Sequence, residues 1–352
     1  MIDVAPYGLE QNAKLEYLLA ELNRLSRLHY DHCVHYRRLL DALHNGSAAA
    51  GTLDAVPYLP VRLFKHHELL SVPQQDIVKT MTSSGTGEHG VSKIFLDRFT
   101  ASLQMKVLAS IMSSFIGKQR LPMLVIDTPS TTANRQKFSA RAAGILGFTM
   151  FGRDVTYALD DAMKLDLDKI AAFLTRHDGE DILIFGFTSL VWEHMIQALG
   201  PEGLKLPLSR AILLHGGGWK RLLSLAVSKE EFKSRLFGCT GITRVHNYYG
   251  MVEQTGSIFM ECEHGHLHSS SFSEVIIRDP IDFRACDVGE RGLIQLLSLI
   301  PHSYPGHSLL SEDIGEVTGI DDCPCGRRGK TFIVHGRVKN SEARGCSDTI
   351  PR

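Results

Sequence analysis

Hydrophobic positions follow two rhythms along this chain, one typical of amphipathic helices and one typical of buried strands. In residues 12–43, leucines recur at helical spacing among polar residues, which predicts one or two amphipathic helices. Farther along, short apolar runs alternate with stretches of helical spacing, and this alternation predicts an α/β core whose sheet is covered on both faces. The predicted helices are 99–117, 134–146, 168–176 and 190–199, and the predicted strands are 122–127, 181–187 and 210–215.

The pattern changes after residue 258, where the apolar runs become shorter and turn residues separate them. Short strands at close intervals predict a small β-rich subdomain. We therefore expect a helical N-terminus with the α/β core over residues 1–257, the β-rich subdomain over 258–335, and a short C-terminal tail over 336–352. The predicted strands of the subdomain are 274–278, 292–296, 315–317 and 330–335.

Composition narrows the possible functions. The 352 residues are 43% hydrophobic and 22% charged, and 38 lysines and arginines balance 39 aspartates and glutamates. This balance argues against nucleic acid as the main partner and against membrane attachment by charge, and it favours a small-molecule enzyme. No apolar run has the length of a membrane span and residues 1–22 lack a secretion signal, so we expect a cytoplasmic protein. Seven cysteines, an odd number, argue against a disulfide framework.

A run of hydroxyl residues and glycines, Thr82-Ser83-Ser84-Gly85-Thr86-Gly87, precedes Lys93. The backbone N–H groups of such a loop can surround a polyphosphate while a lysine neutralises it. In the common phosphate loop the lysine directly follows the second glycine, and because the spacing here differs, a kinase or GTPase is disfavoured. Alone, the run is equally compatible with a surface turn rich in serine and glycine.

Three later segments carry residues suited to one nucleotide site. His215-Gly216-Gly217-Gly218-Trp219-Lys220 follows a predicted strand, and glycines there allow a ring or a phosphate to approach the backbone. Tyr249-Gly250-Met251-Val252-Glu253 offers an aromatic ring for a base and a carboxylate for a hard cation. Asp313 can accept hydrogen bonds from ribose hydroxyls, and Arg337 can donate to the sugar or to a phosphate. Each segment is a weak signal by itself.

Taken in order, these segments resemble the motifs of the adenylate-forming superfamily. Within it, the chain most resembles the LuxE acyl-protein synthetases, with phenylacetate–CoA ligases next. The resemblance implies an α/β fold, namely the N-terminal core of an adenylate-forming ligase, with layered mixed sheets and helices plus the small β-rich subdomain. It also implies ATP with Mg²⁺ as cofactor, Thr86 and Glu253 as contacts of Mg²⁺, and Lys93 as the charge that stabilises departing pyrophosphate. The implied ATP-binding residues are Thr82, Ser83, Ser84, Gly85, Thr86, Gly87, Gly216, Gly217, Gly218, Tyr249, Gly250, Asp313 and Arg337.

The same resemblance implies a two-step reaction. A carboxylic acid, in this family a fatty acid, attacks ATP to give an acyl-adenylate, and a thiol then takes the acyl group. Most superfamily members continue past the hinge arginine into a mobile C-terminal domain that supplies another lysine, whereas this chain stops fifteen residues after Arg337, so we expect that domain to be essentially absent. Lys220 and Lys339 are the candidates to replace the missing lysine, although each is equally well explained as a surface lysine.

Cys346 is the candidate acyl acceptor. It lies six residues before the C-terminal Arg352 and near Arg344, a position that favours an accessible thiolate. In the acyl-protein synthetases, a cysteine near the C-terminus carries the acyl group before a reductase partner receives it, and Cys346 is the matching position. Two alternatives stay open, each with an inert tail cysteine. One is a ligase whose acceptor is CoA, a carrier-protein thiol or an amine, and the other is a nucleotide-responsive interaction protein without turnover.

Two further cysteine-containing segments suggest a metal site. Cys323-Pro324-Cys325-Gly326 pairs two thiols, and residues 261–268 offer a third thiol with three imidazoles. Such a set can close a tetrahedral zinc site that stabilises the β-rich subdomain. Resemblance to phenylacetate–CoA ligases favours the quartet Cys262, His268, Cys323 and Cys325. Which histidine binds stays open, and reduced surface cysteines are the alternative.

The candidate pocket for the acid substrate consists of Phe185, Phe187, Thr188 and Trp219. The two phenylalanines are spaced by two residues, which fits side chains of a core strand equally well.

Overall fold

In the computed structural model, the described residues are 4–83, 91–133, 140–200, 203–219 and 226–338. Their contacts divide the chain into a first unit of residues 4–114 and 250–338 and a second unit of residues 115–249. This division differs from the predicted boundary near residue 258, because the N-terminal helices group with the late strands rather than with the central α/β segment. The first unit is therefore discontinuous in sequence.

The helices and strands below are numbered in chain order. The helices are α1 Gln11–His32, α2 Val34–His44, α3 Leu63–His66, α4 Arg98–Ile116, α5 Ser130–Ala133, α6 Ala140–Thr149, α7 Leu167–Arg176, α8 Thr188–Val191, α9 Gln197–Leu199 and α10 Lys229–Thr240. The strands are β1 Leu59–Pro60, β2 Ile77–Thr82, β3 Lys93–Asp97, β4 Leu121–Val125, β5 Gly152–Tyr157, β6 Ile182–Phe187, β7 Ala211–Gly216, β8 Arg244–Tyr249, β9 Phe259–Glu261, β10 Leu267–His268, β11 Ser273–Arg278, β12 Arg291–Ser298, β13 Ser308–Ile320 and β14 Lys330–Arg337.

The long apolar patterns predict the observed elements well. The structure confirms the predicted helices that became α1, α2, α4 and α7 and the predicted strands that became β4, β6, β7, β11, β12 and β14, with shifted ends. The pattern does not predict α10, β5 or β8. Charged and polar residues dominate α10, and β5 is half exposed, so neither shows the apolar run that marks a buried element.

In the first unit, antiparallel pairing gives the strand order β11-β12-β13-β14-β10-β9, and β1 pairs with β13 in parallel. The β2–β3 hairpin forms a separate two-stranded sheet. Its register places Thr82 opposite Lys93, and the register of β13 and β14 places Asp313 opposite Arg337. Strand pairing therefore brings residues predicted for one nucleotide site into adjacent positions.

Helix α1 covers the edge strand β11 of this sheet. Leu18 of α1 shares an apolar cluster with Ile276 of β11. Lys14 and Glu274, both buried, form an ion pair with 3.2 Å between Nζ and Oε2, and Gln11 Nε2 donates to the same carboxylate oxygen at 2.7 Å. Removal of one partner would leave a buried charge unpaired, so this pair fixes α1 against β11.

The second unit contains a parallel sheet in the order β5-β4-β6-β7-β8. β6 and β7 are buried along their whole length, as expected of strands covered on both faces. Phe173 of α7 and Leu236 of α10 join Ile184 and Leu213 of the sheet in one apolar cluster. Open parallel sheets bind ligands beyond the carboxyl ends of their strands, and the glycine turn after β7 lies at that edge.

Helix α4 is the one helix among the described residues that could cross a membrane by length and composition alone, with a mean hydropathy of 1.2. However, 39% of that segment is buried inside the protein. A core helix of a globular domain passes the same test, so α4 is weak evidence for a membrane span.

Two neutral histidines lie in the core of the first unit. His29 Nδ1 is 2.7 Å from the Ser71 hydroxyl, and its Nε2 is 3.2 Å from the Pro301 carbonyl oxygen. His307 Nε2 is 2.9 Å from the Ser26 hydroxyl, and the two imidazole rings stack with centroids 4.9 Å apart. Burial lowers the pKa of both histidines, that of His307 to about 3.

Acid should therefore destabilise the first unit at pH values well above those at which carboxylates titrate. An unfolded histidine has a pKa of about 6.5, so as pH falls below that value the unfolded chain binds protons that the folded chain excludes. We expect the free energy of unfolding to fall by up to about 1.4 kcal/mol per pH unit for each of the two histidines. Urea unfolding between about pH 7 and pH 4.5 measures this slope.

The variant His307→Gln should lower the slope, because glutamine takes up no proton on unfolding. The matched control is His32→Gln at an exposed position, which should leave the slope unchanged. A slope that stays the same in His307→Gln would contradict the assignment of acid sensitivity to the buried imidazole.

Candidate active site and metal centre

The ends of the predicted phosphate loop are held by the β2–β3 hairpin. Ser83 N donates to the Ser92 carbonyl oxygen at 3.0 Å, and Ser92 N donates to Ser83 Oγ at 2.9 Å. Thr82 pairs with Lys93 one position farther from the loop. Together these bonds hold the two strands side by side at the base of the loop, and we call this paired base the stem. The four loop residues of the prediction lie outside the described part of the chain: Ser84, Gly85, Thr86 and Gly87.

Lys93 stands at the outer end of this stem. Its Nζ lies 3.3 Å from Glu68 Oε1, and both side chains are about half exposed to solvent. Exposed ion pairs contribute only ~0–1 kcal/mol. Lys93 can therefore exchange Glu68 for a phosphate group at little cost, as its predicted role requires.

Glu253 is a buried carboxylate in the same unit. It lies in a short 3₁₀ turn, Val252–Gln254, and only 6% of it is exposed. Burial raises the pKa of Glu253, while the Ser92 hydroxyl, and beyond it the charges of Lys65 and Arg337, favour the ionised form. A buried carboxylate at this depth needs a positive partner to stay ionised, and a hard cation would serve.

Asp313 and Arg337 form the predicted ribose-binding pair. They oppose each other on β13 and β14, with 3.3 Å between Arg337 Nε and Asp313 Oδ1. The arginine is 42% exposed and the aspartate 15%, so both can reach a ligand. A carboxylate oriented by a guanidinium has oxygen lone pairs left to accept hydrogen bonds from two hydroxyls.

The glycine turn of the second unit, residues 216–218, lies against an aromatic ring, and this contact explains why the turn needs glycine. A Cβ on Gly216 would lie 2.3 Å from the Tyr248 ring, and Gly217 has φ of +77°, which favours glycine. Tyr249 ends β8 in this unit, whereas Gly250 begins the next segment of the first unit. Lys220 lies outside the described residues.

The predicted acid-pocket residues occupy different environments in the second unit. Phe185 is fully buried, and its ring stacks on Phe148 with centroids 4.6 Å apart, which fits the core interpretation. Phe187 ends β6, and a Cβ on Gly217 would lie 3.4 Å from its ring, so Phe187 borders the glycine turn. Thr188 Oγ1 lies 2.9 Å from His215 Nδ1, a contact that the sequence analysis did not consider.

Trp219 follows the glycine turn and is partly buried. Its ring meets Trp192 edge-on with centroids 5.4 Å apart and Phe232 with centroids 6.4 Å apart. Trp219 therefore belongs to an aromatic cluster with Trp192 and Phe232.

The four residues predicted for zinc lie together in the first unit. Their ligand atoms are all within 4.8 Å of one another, with 3.8 Å between the sulfurs of Cys262 and Cys323 and 3.4 Å between Cys325 Sγ and His268 Nε2. Three sulfurs and one nitrogen at such separations are the donor set of a tetrahedral structural zinc site.

The surroundings of this cluster also fit a cation. Burial raises the pKa of the Cys323 thiol to about 12 and lowers that of His268 to about 4. A thiol whose pKa is raised in this way becomes a thiolate when a positive charge joins it, and a divalent metal provides that charge. The Tyr7 ring meets His268 edge-on with centroids 5.9 Å apart, so the N-terminal segment covers the cluster.

A family model described as acyl-protein synthetase, LuxE, matches residues 1–352. The chain belongs to the LuxE acyl-protein synthetase family. Among its relatives, the long-chain-fatty-acid–luciferin-component ligase of Aliivibrio fischeri is 24% identical over 340 residues, which cover 91% of this chain and 84% of that protein. The ligase of the same name from Vibrio harveyi is 23% identical over 333 residues, covering 91% of this chain and 83% of that protein.

Solved structures show the same fold. A 2-hydroxyisobutyryl-CoA ligase in complex with 2-HIB-AMP and CoA has a TM-score of 0.71 and 18% identity, covering 94% of this chain and 69% of that chain. ATP-bound MatB from Rhodopseudomonas palustris has a TM-score of 0.50 and 15% identity, covering 85% of this chain and 52% of that chain. At these identities the similarity concerns the fold alone, and it confirms the predicted mixed α/β architecture of an adenylate-forming ligase.

Membership of the LuxE family confirms the predicted enzyme class, an adenylate-forming ligase that activates an acyl group. The positions of Thr82, Lys93, Glu253, Asp313 and Arg337 within one unit are consistent with that class. Lys339 and Cys346 lie outside the described residues, so their roles stay predictions.

Proposed function

We propose that this LuxE-family protein activates a carboxylic acid, of the fatty-acid class, as an acyl-adenylate and transfers the acyl group to its own Cys346. An acyl-accepting partner protein, such as a reductase, then receives it. The observation that carries the proposal is the buried Glu253 carboxyl beside Ser92, the residue that closes the stem of the phosphate loop. A buried carboxylate beside a phosphate-binding loop is suited to hold the divalent cation that accompanies ATP.

In the first half-reaction, a carboxylate oxygen of the acid attacks the α-phosphorus of ATP, and the bond to the departing pyrophosphate breaks. Lys93 neutralises charge on the leaving group, and Asp313 with Arg337 holds the ribose. Mg²⁺, when bound with ATP, supplies further charge neutralisation, and Glu253 with Thr86 would hold it. The protein's part is positioning and electrostatic stabilisation.

In the second half-reaction, the Cys346 thiolate attacks the acyl carbonyl carbon of the adenylate. A thioester bond forms, the bond between acyl carbon and phosphate oxygen breaks, and AMP leaves with the electron pair. The thiol proton passes to solvent before the attack. Lys220 or Lys339 would stabilise charge on the adenylate.

We also propose a structural zinc ion at Cys262, His268, Cys323 and Cys325, supported by the separations within that cluster. The six cysteines among the described residues are free thiols. The cytoplasm keeps thiols reduced and contains ATP, so we propose the cytoplasm as the location of the protein.

Loss of the Cys346 thiol should separate the two half-reactions. With ATP, Mg²⁺ and a panel of acids, the wild-type protein should gain the mass of one acyl group in intact-protein mass spectrometry. The variant Cys346→Ser should gain none that is labile to hydroxylamine, yet it should still release about one pyrophosphate per chain, because adenylation needs no thiol.

The matched control is Cys286→Ser, which removes a partly exposed thiol outside both proposed sites and should acylate normally. A Cys346→Ser protein that still forms the thioester would overturn the role of Cys346. Absence of acid-dependent pyrophosphate release from the wild-type protein would overturn the ligase proposal itself. Release of pyrophosphate with acylation only of added CoA would identify CoA as the acceptor.

A further inference from the structure

One arginine joins the two segments that supply thiols to the cysteine and histidine cluster. Arg327 comes two residues after Cys325, and Glu263 directly follows Cys262. Arg327 Nη1 donates to Glu263 Oε2 at 3.1 Å, and the arginine side chain is only 18% exposed. The ion pair therefore ties the segment of Cys325 to the segment of Cys262, just outside the four proposed zinc ligands.

The same guanidinium also reaches a helix of the first unit. Its Nη2 donates to the Ser114 carbonyl oxygen at 3.2 Å. Ser114 lies in the last turn of α4, where the carbonyl groups have no partner within the helix and a positive charge is favourable. The guanidinium carbon lies 5.9 Å from the centroid of the Tyr7 ring, which covers the cluster. Arg327 therefore connects the surroundings of the cluster to the carboxyl end of α4.

The other end of α4 is continuous with a strand of the predicted adenylation site. Strand β3 begins at Lys93 and ends at Asp97, and α4 starts at the next residue, Arg98. Asp97 Oδ1 accepts a hydrogen bond from Thr100 N at 2.8 Å, which fixes the junction of strand and helix. A shift of α4 along its axis would therefore move β3 and its lysine.

The middle of α4 lies against the segment that carries Glu253. Gly256, three residues after Glu253, has φ of +93°, and a Cβ there would lie 2.9 Å from Gln104 Cα of the helix. Only glycine permits two backbones to approach so closely. Because close-packed elements move as rigid bodies, the position of α4 also constrains the Glu253 turn.

We propose that Arg327 is a positioning residue through which the cysteine and histidine cluster fixes α4, and with it Lys93 and Glu253. A zinc ion bound by the cluster would hold the two thiol-bearing segments together, so that Arg327 pairs with Glu263 and keeps its second donor on the end of the helix. The inference rests on the proposed function, and it gives the structural metal a part in adenylation that no motif of the sequence indicates.

Hydrogen exchange and pyrophosphate exchange of the zinc-loaded variant Arg327→Gln test the proposal. Amide exchange in the last turn of α4 should become about 3- to 10-fold faster, because a charge-assisted hydrogen bond at the helix end is lost. Exchange in β11 and β12 should not change, which separates this effect from a general loss of stability. The kcat/KM for ATP in acid-dependent pyrophosphate exchange should fall by about 10- to 100-fold, as it does when a residue that orients a site is lost.

The matched control is Arg328→Gln, at the neighbouring position. Arg328 Nη1 donates to the Asp321 carbonyl oxygen at 3.2 Å, and its Nη2 lies 3.8 Å from a Glu10 carboxylate oxygen, so these contacts do not involve α4. This variant should retain wild-type values in both measurements.

A zinc-loaded Arg327→Gln protein with wild-type exchange in α4, or with wild-type kcat/KM, would overturn the proposal. If Arg327→Gln fails to fold, Arg327→Lys decides, since lysine keeps the charge but lacks the planar fork that holds two acceptors at once. Absence of zinc or of acid-dependent pyrophosphate exchange in the wild-type protein would instead overturn the proposed function.

Discussion

Glutamine in place of Glu253 should reduce the rate of acyl-adenylate formation by about 100- to 1,000-fold, the loss typical when one group that stabilises transition-state charge is removed. Glu253 is a buried carboxylate whose pKa is influenced by the hydroxyl of Ser92 in the phosphate-loop stem, and glutamine preserves its shape while removing its charge. The neutral amide also avoids burial of a charge, so the variant should be at least as stable as the wild-type protein.

Acid-dependent exchange of radioactive pyrophosphate into ATP measures this rate without the acyl-transfer step. The matched control is Glu261→Gln, which changes a second buried glutamate of the same unit, in strand β9. Its exchange rate should stay within about threefold of wild type, the range expected of a residue without transition-state contact. An exchange rate that remains near the wild-type value in folded Glu253→Gln would show that this carboxylate has no part in adenylation.

Loss of one thiol from the cysteine and histidine cluster should be the most destabilising single change in the first unit. Structural zinc sites contribute much of the folding free energy of the segments that they join, and loss of one ligand leaves an incomplete donor set that binds zinc weakly. For Cys323→Ser we expect a loss of ~5 kcal/mol, which corresponds to a fall in Tm of about 10–20 °C.

Elemental analysis and thermal unfolding test this expectation together. Wild-type protein and Cys286→Ser should each contain about one zinc ion per chain, because Cys286 belongs to the same unit but not to the cluster. Cys323→Ser should contain almost none. A wild-type protein that is free of zinc, and whose Tm does not change when zinc is added after chelation, would rule out the site.

Residue chemistry in the sequence was sufficient to nominate most of the candidate site. Asp313 and Arg337 are of the right types for a ribose pair, and the structure places them opposite each other on adjacent strands. For the metal site, residue chemistry gave three thiols and three imidazoles, resemblance to phenylacetate–CoA ligases favoured Cys262, His268, Cys323 and Cys325 among them, and the structure brings these four ligand atoms together. In both cases the side chains are charged residues, cysteines or histidines, which have few possible chemical partners in a folded protein, so their types alone limit which residues can form a site.

Packing between distant segments was not predictable. Tyr304 belongs to no sequence motif. Its closeness to Glu253 depends on the chain geometry at Gly306, which can be seen only in the folded structure. Ser92 could be noticed only as the residue before Lys93. Apolar periodicity also could not show that residues 4–114 join 250–338, because periodicity reports which face of an element is buried and not what covers it.

The discontinuity of the first unit has a consequence for synthesis on the ribosome. Helix α1 emerges early, yet its buried Lys14 obtains its partner Glu274 only after residues 115–249, which belong to the other unit, have been made. At about 5–20 residues per second, that interval lasts roughly 7–27 s. During it the nascent helix exposes the apolar face that later covers β11, a kind of surface that makes incomplete chains prone to aggregation.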